Sequence, residues 1–153
     1  MDVINKAAGI EQLAVARWLK GSSFAYPIVN ALHIMSIGAL LTSVLLMDLR
    51  ICGAFRSLPR AAFVALLRRT ALVAFAGALV TGSLLFSVKA STYAAMPIFL
   101  AKMVLILVAG VNFLAFTRFR PVTGGDEPAG GTVLLSMLLW TSVLFAGRFI
   151  GFF

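Results

Sequence analysis

The chain has one histidine, His33, and it lies inside an uncharged apolar run from Phe24 to Met47. An ionisable side chain at the depth of a membrane helix is costly, so such a position reads by default as functional. Two more charged residues, Lys102 and Arg148, stand in apolar surroundings. Asn30 is three residues before His33, on the same helix face, and Met103 follows Lys102. These residues define a limited chemistry. His33 and Asn30 can hold the carbonyl oxygen of a quinone, with aromatic side chains on its ring. His33 can also be one axial ligand of a b-type haem, the second coming from Met96, Met103, Lys102 or His33 of a second copy, with Lys102 and Arg148 on the propionates. Met35 is two residues from His33 and points to a different face. The sign of the charges suits an anion path. A proton relay is disfavoured, because no carboxylate is expected deep in a span. No metal site is expected from one histidine and one cysteine, Cys52, unless His33 binds haem. A hydrolytic triad is excluded for want of a carboxylate near His33, and Cys52 lies at the opposite depth. Against all of these stands a plain alternative: a lone histidine can simply hydrogen-bond across two membrane helices, while Lys102 and Arg148 snorkel to an interface.

The elements that must position these residues follow from the apolar runs. Span one is 24–47, enough to cross a bilayer as a helix. Pro27 falls in its first turn, where a missing amide donor is harmless, and Gly38 leaves room near His33. Asp48-Leu49-Arg50 ends the span and Gly53 is placed to stop the helix. Asp48 and Arg50 cannot share a helix face and are expected to find partners at the membrane surface. A basic connection with Arg56, Arg60, Arg68 and Arg69 follows, in which Pro59 can open a helix. Span two, 71–88, carries Ala74, Ala78 and Gly82 at spacing four, beside Gly77 and Thr81, a face on which helices approach closely in lipid. A short turn, Lys89 to Met96, leads to span three, 98–116, with Lys102 and Asn112, and Pro97 suits its first turn. Pro121 to Thr132 reads as a solvated loop. Span four is 133–150 and contains Trp140 and Arg148. Before span one, Ile10 to Leu19 reads as a short amphipathic helix at the interface, with Leu13, Ala16 and Leu19 on one side and Glu11 and Arg17 toward water. The start lacks the pattern of a cleaved signal peptide.

Composition agrees. The sequence is 61% hydrophobic and 12% charged, with mean hydropathy +1.05, whereas a soluble domain carries about 25% charged residues. The net charge of +8 does not signal nucleic acid, because the basic residues flank apolar runs and follow the topology rule of membrane proteins. Arg50, Arg56, Arg60, Arg68, Arg69, Arg118 and Arg120 fall on one side, and Lys6, Arg17, Lys20 and Lys89 on the other. The excess assigns the 50–69 and 118–132 connections to the cytoplasm and both termini to the outside. His33, Lys102 and Arg148 then share the outer half of the membrane. The expected fold is an all-α integral membrane protein, an antiparallel bundle of four transmembrane helices (24–153) behind an N-terminal tail and interfacial helix (1–23). The expected partners are the lipid bilayer and, through the small-residue face of span two, a second copy or a larger membrane complex. The expected role is a non-enzymatic membrane subunit with a polar pocket at His33, Lys102 and Arg148. A redox protein binding haem b or quinone and a structural anchor for a partner complex are the alternatives.

A family resemblance rests on Leu32-His33 followed by Gly38, Asp48-Leu49-Arg50, Thr81-Gly82 with Leu85-Phe86, Tyr93 with Phe99 and Lys102-Met103, Asn112, and Ala146-Gly147-Arg148. In this order, over nearly the whole chain, they resemble an uncharacterised family of small bacterial inner-membrane proteins known only as a domain of unknown function. The resemblance implies a four-helix membrane bundle in the bacterial inner membrane and no established activity. Many members of the family carry a histidine near the position of Thr117, and its absence here weighs against a conventional haem site. The single-histidine span and span three are also loosely similar to the copper-resistance D-type and cytochrome b561-like membrane families, which use paired histidines where this chain has one.

Overall fold

The computed structural model of the chain describes residues 2–119 and 130–150. Seven helices follow one another: α1 (Asp2–Glu11), α2 (Ala14–Gly21), α3 (Ala25–Ile51), α4 (Arg60–Val88), α5 (Ala90–Ala95), α6 (Pro97–Phe119) and α7 (Gly130–Phe149). No strand occurs among the described residues. Four helices are long and apolar enough to cross a membrane, within Ala25–Ile51, Arg60–Val88, Pro97–Ala115 and Gly131–Phe149. Helix boundaries match the punctuation in the sequence. Pro59 and Pro97 sit at the starts of α4 and α6, where proline costs no hydrogen bond. Beyond α3, Gly53 adopts φ +96°, the left-handed conformation that glycine takes without strain. The Arg56 Nε–H donates to its carbonyl at 3.1 Å. Arg50 Nη2 donates to the Leu58 carbonyl at 2.8 Å, tying the end of α3 to the connection.

Packing is pairwise and antiparallel. α3 lies along α4, α7 along α6, and α3 also meets α7. Going along α3 from His33 to Ser36, the facing position on α4 moves backward, from Gly82 to Gly77. The core is drawn from every long helix: Leu40, Val44 and Met47 of α3, Ala71 and Ala74 of α4, Ala109 and Phe113 of α6, Trp140 of α7. Phe75 meets Trp140 edge-on with ring centroids 6.4 Å apart, a favoured aromatic geometry. Most apolar surface points the other way. Only 11% to 22% of each apolar window is buried, and Ile34, Met35, Val73, Leu107 and Leu138 all expose more than half their surface.

The small-residue face of α4, offered by the sequence to a second copy, is covered by α3 of the same chain. A Cβ at Gly77 would lie 2.9 Å from Ser36 Oγ, and one at Gly82 3.0 Å from His33 Cε1. The N-terminal region also departs from expectation. In place of one helix over 10–19, α1 ends at Glu11 and α2 begins at Ala14. The break has a cause: α1 packs on α5 while α2 packs on α4. Ala16 and Leu19 are buried and Leu13 is exposed. Residues 89–96 are likewise no simple turn, since they contain α5, whose Tyr93 stacks with Phe86 and Phe99. The side chains of Lys6, Thr117 and Arg118, the stretch from Arg120 through the predicted loop to Ala129, and Gly151-Phe152-Phe153 lie outside the described residues.

Glu11 holds this end together. Its Oε1 accepts the Ser91 amide N–H at 2.8 Å and the Ser91 hydroxyl at 2.6 Å. These bonds favour the carboxylate and hold its pKa below the ordinary 4.5, the side-chain bond most strongly. A lowered folded-state pKa stabilises docking above the ordinary value and loses that contribution as pH falls through the lowered one. Hydrogen exchange in α1 is therefore expected to be slow at neutral pH and to accelerate, relative to the core of α3, below about pH 4.5. Glu11→Gln should abolish that pH dependence.

Candidate functional site

His33 is half-buried on α3 and faces α4. Its Nδ1 lies 2.9 Å from the Thr81 hydroxyl. The hydroxyl has one proton, which it donates to the Gly77 carbonyl at 2.6 Å. With that proton donated to Gly77, the hydroxyl accepts from the ring, which sets the proton of the neutral imidazole on Nδ1 and a lone pair on Nε2; the Ala78 backbone is a further hydrogen-bond partner of the ring. A histidine whose far nitrogen is fixed by a donated hydrogen bond is a pre-oriented acceptor or ligand. Gly82 makes the approach possible, because any side chain there would meet the ring.

Lys102 of α6 is half-buried, and its charge reaches His33. Its stem crosses Gly147 of α7, where a Cβ would lie 3.2 Å from Nζ. Both helix crossings beside the site thus run over glycine. Among the described residues no carboxylate compensates Lys102. Arg148 follows Gly147 directly, is exposed, and has an interaction partner of its own. One helical turn from Gly82 is Phe86, and three residues before Lys102 is Phe99. These two rings stack with centroids 5.3 Å apart, and Tyr93 stacks on both at 6.4 and 5.7 Å. Burial, then the nearby Tyr26 phenol, push the Tyr93 phenol above its ordinary pKa. An aromatic layer therefore lies one turn outward from the His33–Lys102 pair.

Of the predicted site residues, the fold brings His33 and Lys102 within electrostatic reach and sets Arg148 next to the glycine that Lys102 crosses. Asn30 and Met103, like Arg148, are exposed. At Gly38, five residues on along α3, an added Cβ would meet nothing within 4 Å. The residues that reasoning from sequence missed are Thr81, Gly82 and Gly147. Their signal was the register of the antiparallel α3–α4 pair, which sets Thr81-Gly82 level with His33.

The expectation of no deep carboxylate also needs correcting. α3 runs on to Ile51, so Asp48 is part of that helix and is buried, 4% exposed. No group of three or more metal-ligating His, Cys, Asp or Glu side chains occurs among the described residues.

The fold thus defines a class, all-helical chains with four helices of membrane-crossing length. Within it, this chain belongs to a family of unknown function, DUF6644, whose model matches residues 18–153, from late α2 through all four long helices. No curated protein and no solved structure matches the chain.

Proposed function

We propose that this chain is a multi-pass protein of the bacterial inner membrane, with both termini outside. In this reading it is a non-enzymatic membrane subunit that binds a small ligand in the outer half of its helix bundle. Support for the membrane setting comes from the outward-facing leucines, valines and isoleucines of all four long helices, which need lipid as solvent. The observation that carries the site is the relay from His33 Nδ1–H through the Thr81 hydroxyl to the Gly77 carbonyl, which leaves Nε2 as acceptor beside the cationic Lys102. A donor and an acceptor next to stacked rings match the head group of a quinone. The Lys102 ammonium donates to an oxygen of the ring, His33 Nε2 accepts from the hydroxyl of the reduced form, and the stacked Phe86–Phe99 pair lies on one side of the ligand. The same Nε2 lone pair keeps a b-type haem as the second reading. Of the second axial ligands open to that reading, Met103 is exposed on the residue after Lys102, whereas Met96 is half-buried just before α6.

The test is anaerobic titration of the purified protein, in mild detergent, with a short-chain ubiquinol analogue, the reduced form whose hydroxyl can donate to His33 Nε2, followed by ultraviolet difference spectra. Saturable binding by the wild type is expected. His33→Ala should weaken it by about tenfold or more, the effect of losing one hydrogen bond to a polar ligand in an apolar site. Non-saturable partitioning, equal in wild type and variant, would remove the quinone assignment, and a Soret band that disappears in His33→Ala would replace it with haem.

A further inference from the structure

A second polar site lies at the other end of the long helices. Asp48 of α3, Asn112 of α6, and Thr132 and Ser136 of α7 line a cavity of about 10 Å³ between the apolar side chains of Met47 and Phe113. Asp48 is the only acid in the described long helices. Its carboxyl is buried, with the Ser136 hydroxyl beside it, and Oδ2 has no hydrogen-bond partner. A buried carboxylate oxygen left in this state is costly unless a proton or a cation compensates it. The cavity is the size of a single water-sized particle. Its polar walls are a carboxylate, a carboxamide and two hydroxyls, which offer hard oxygen ligands and none of the imidazole or thiolate that transition metals prefer. One carboxylate balances one positive charge, whereas a divalent ion would remain undercompensated. The nearest basic side chain on the same helix, Arg50, is held toward the Leu58 carbonyl.

We infer that Asp48, Asn112, Thr132 and Ser136 form a binding site for one small monovalent cation of sodium size, at the end of the bundle opposite His33. The site joins α3 to α6 and α7, so occupancy ties the first long helix to the last two, which are remote from it in sequence.

The experiment uses the full chain in detergent. Thermal melting is compared in sodium, lithium, choline and magnesium chlorides at equal ionic strength, and retention of radioactive sodium is measured alongside. Sodium is expected to raise the melting temperature above that in choline, and magnesium is expected not to substitute. Bound radiosodium should be displaced by unlabelled sodium, and its affinity should fall by about tenfold or more in Asp48→Asn and in Asn112→Leu, each of which removes a ligand oxygen or its charge. Identical melting of the wild type in sodium and choline, with no retained radiosodium, overturns the proposal even if neither variant folds.

Discussion

Replacing Gly82 with leucine is expected to separate α3 from α4 and lower thermal stability in detergent by about 1–3 kcal/mol, the usual cost of overpacking a close contact. The first added carbon already falls 3.0 Å from the His33 ring, so the rest of the side chain has no room while the Thr81 bond is kept. The imidazole must leave its position, and the His33–Thr81–Gly77 relay breaks with it. Gly38→Leu supplies the control. It is the same substitution on the partner helix, in a place where an added carbon meets nothing, and its effect should stay within about 0.5 kcal/mol. Circular-dichroism melts of both variants decide the matter. Equal stability of the two variants would mean that the close approach at His33 does not limit the packing of α3 on α4.

Lys102→Leu is expected to act in opposite directions on stability and on binding. Lys102 is half-buried among apolar residues, crosses Gly147 of α7, and has no compensating carboxylate among the described residues. A lysine in a membrane helix is unfavourable by about 3 kcal/mol relative to leucine at mid-span and by less toward an end, so the variant should gain about 1–2 kcal/mol. A charge that the fold carries at a loss belongs to function and not to structure. Quinone titration of the same preparation should show binding weakened by about tenfold or more, since the donor to the carbonyl oxygen is gone. A variant that is both less stable and unchanged in binding would make Lys102 a structural residue.

The depth of each unusual residue was legible in the sequence, because depth follows from counting along a helix at 1.5 Å per residue. Hence counting sets His33 and Lys102 at one level of the bundle, where the fold has them within electrostatic reach, and Pro97 at the head of its helix. Rotation about the helix axis was not legible. The long helices are apolar all round, so no stripe fixes which side faces a neighbour. Asn30 shares a face with His33 by spacing, yet it is exposed, and Met103 is turned outward beside Lys102. Asp48 illustrates the converse error. A charge near the end of an apolar run looks like an interfacial stop, whereas α3 continues past it and α6 and α7 close over it. The break between α1 and α2 depends on Ser91, eighty residues from Glu11, and no local pattern announces so distant a partner.

The central claim, a ligand held between His33 and Lys102, is tested most directly by what the protein retains from its own membrane. The chain is purified in mild detergent, washed, and extracted with organic solvent, and quinone is quantified per chain for the wild type, His33→Ala and Gly38→Leu. The account predicts quinone near one per chain in the wild type and in Gly38→Leu, and background amounts in His33→Ala. Equal amounts in all three, proportional to the residual lipid, would contradict it and leave His33 as a hydrogen-bonding tie between α3 and α4.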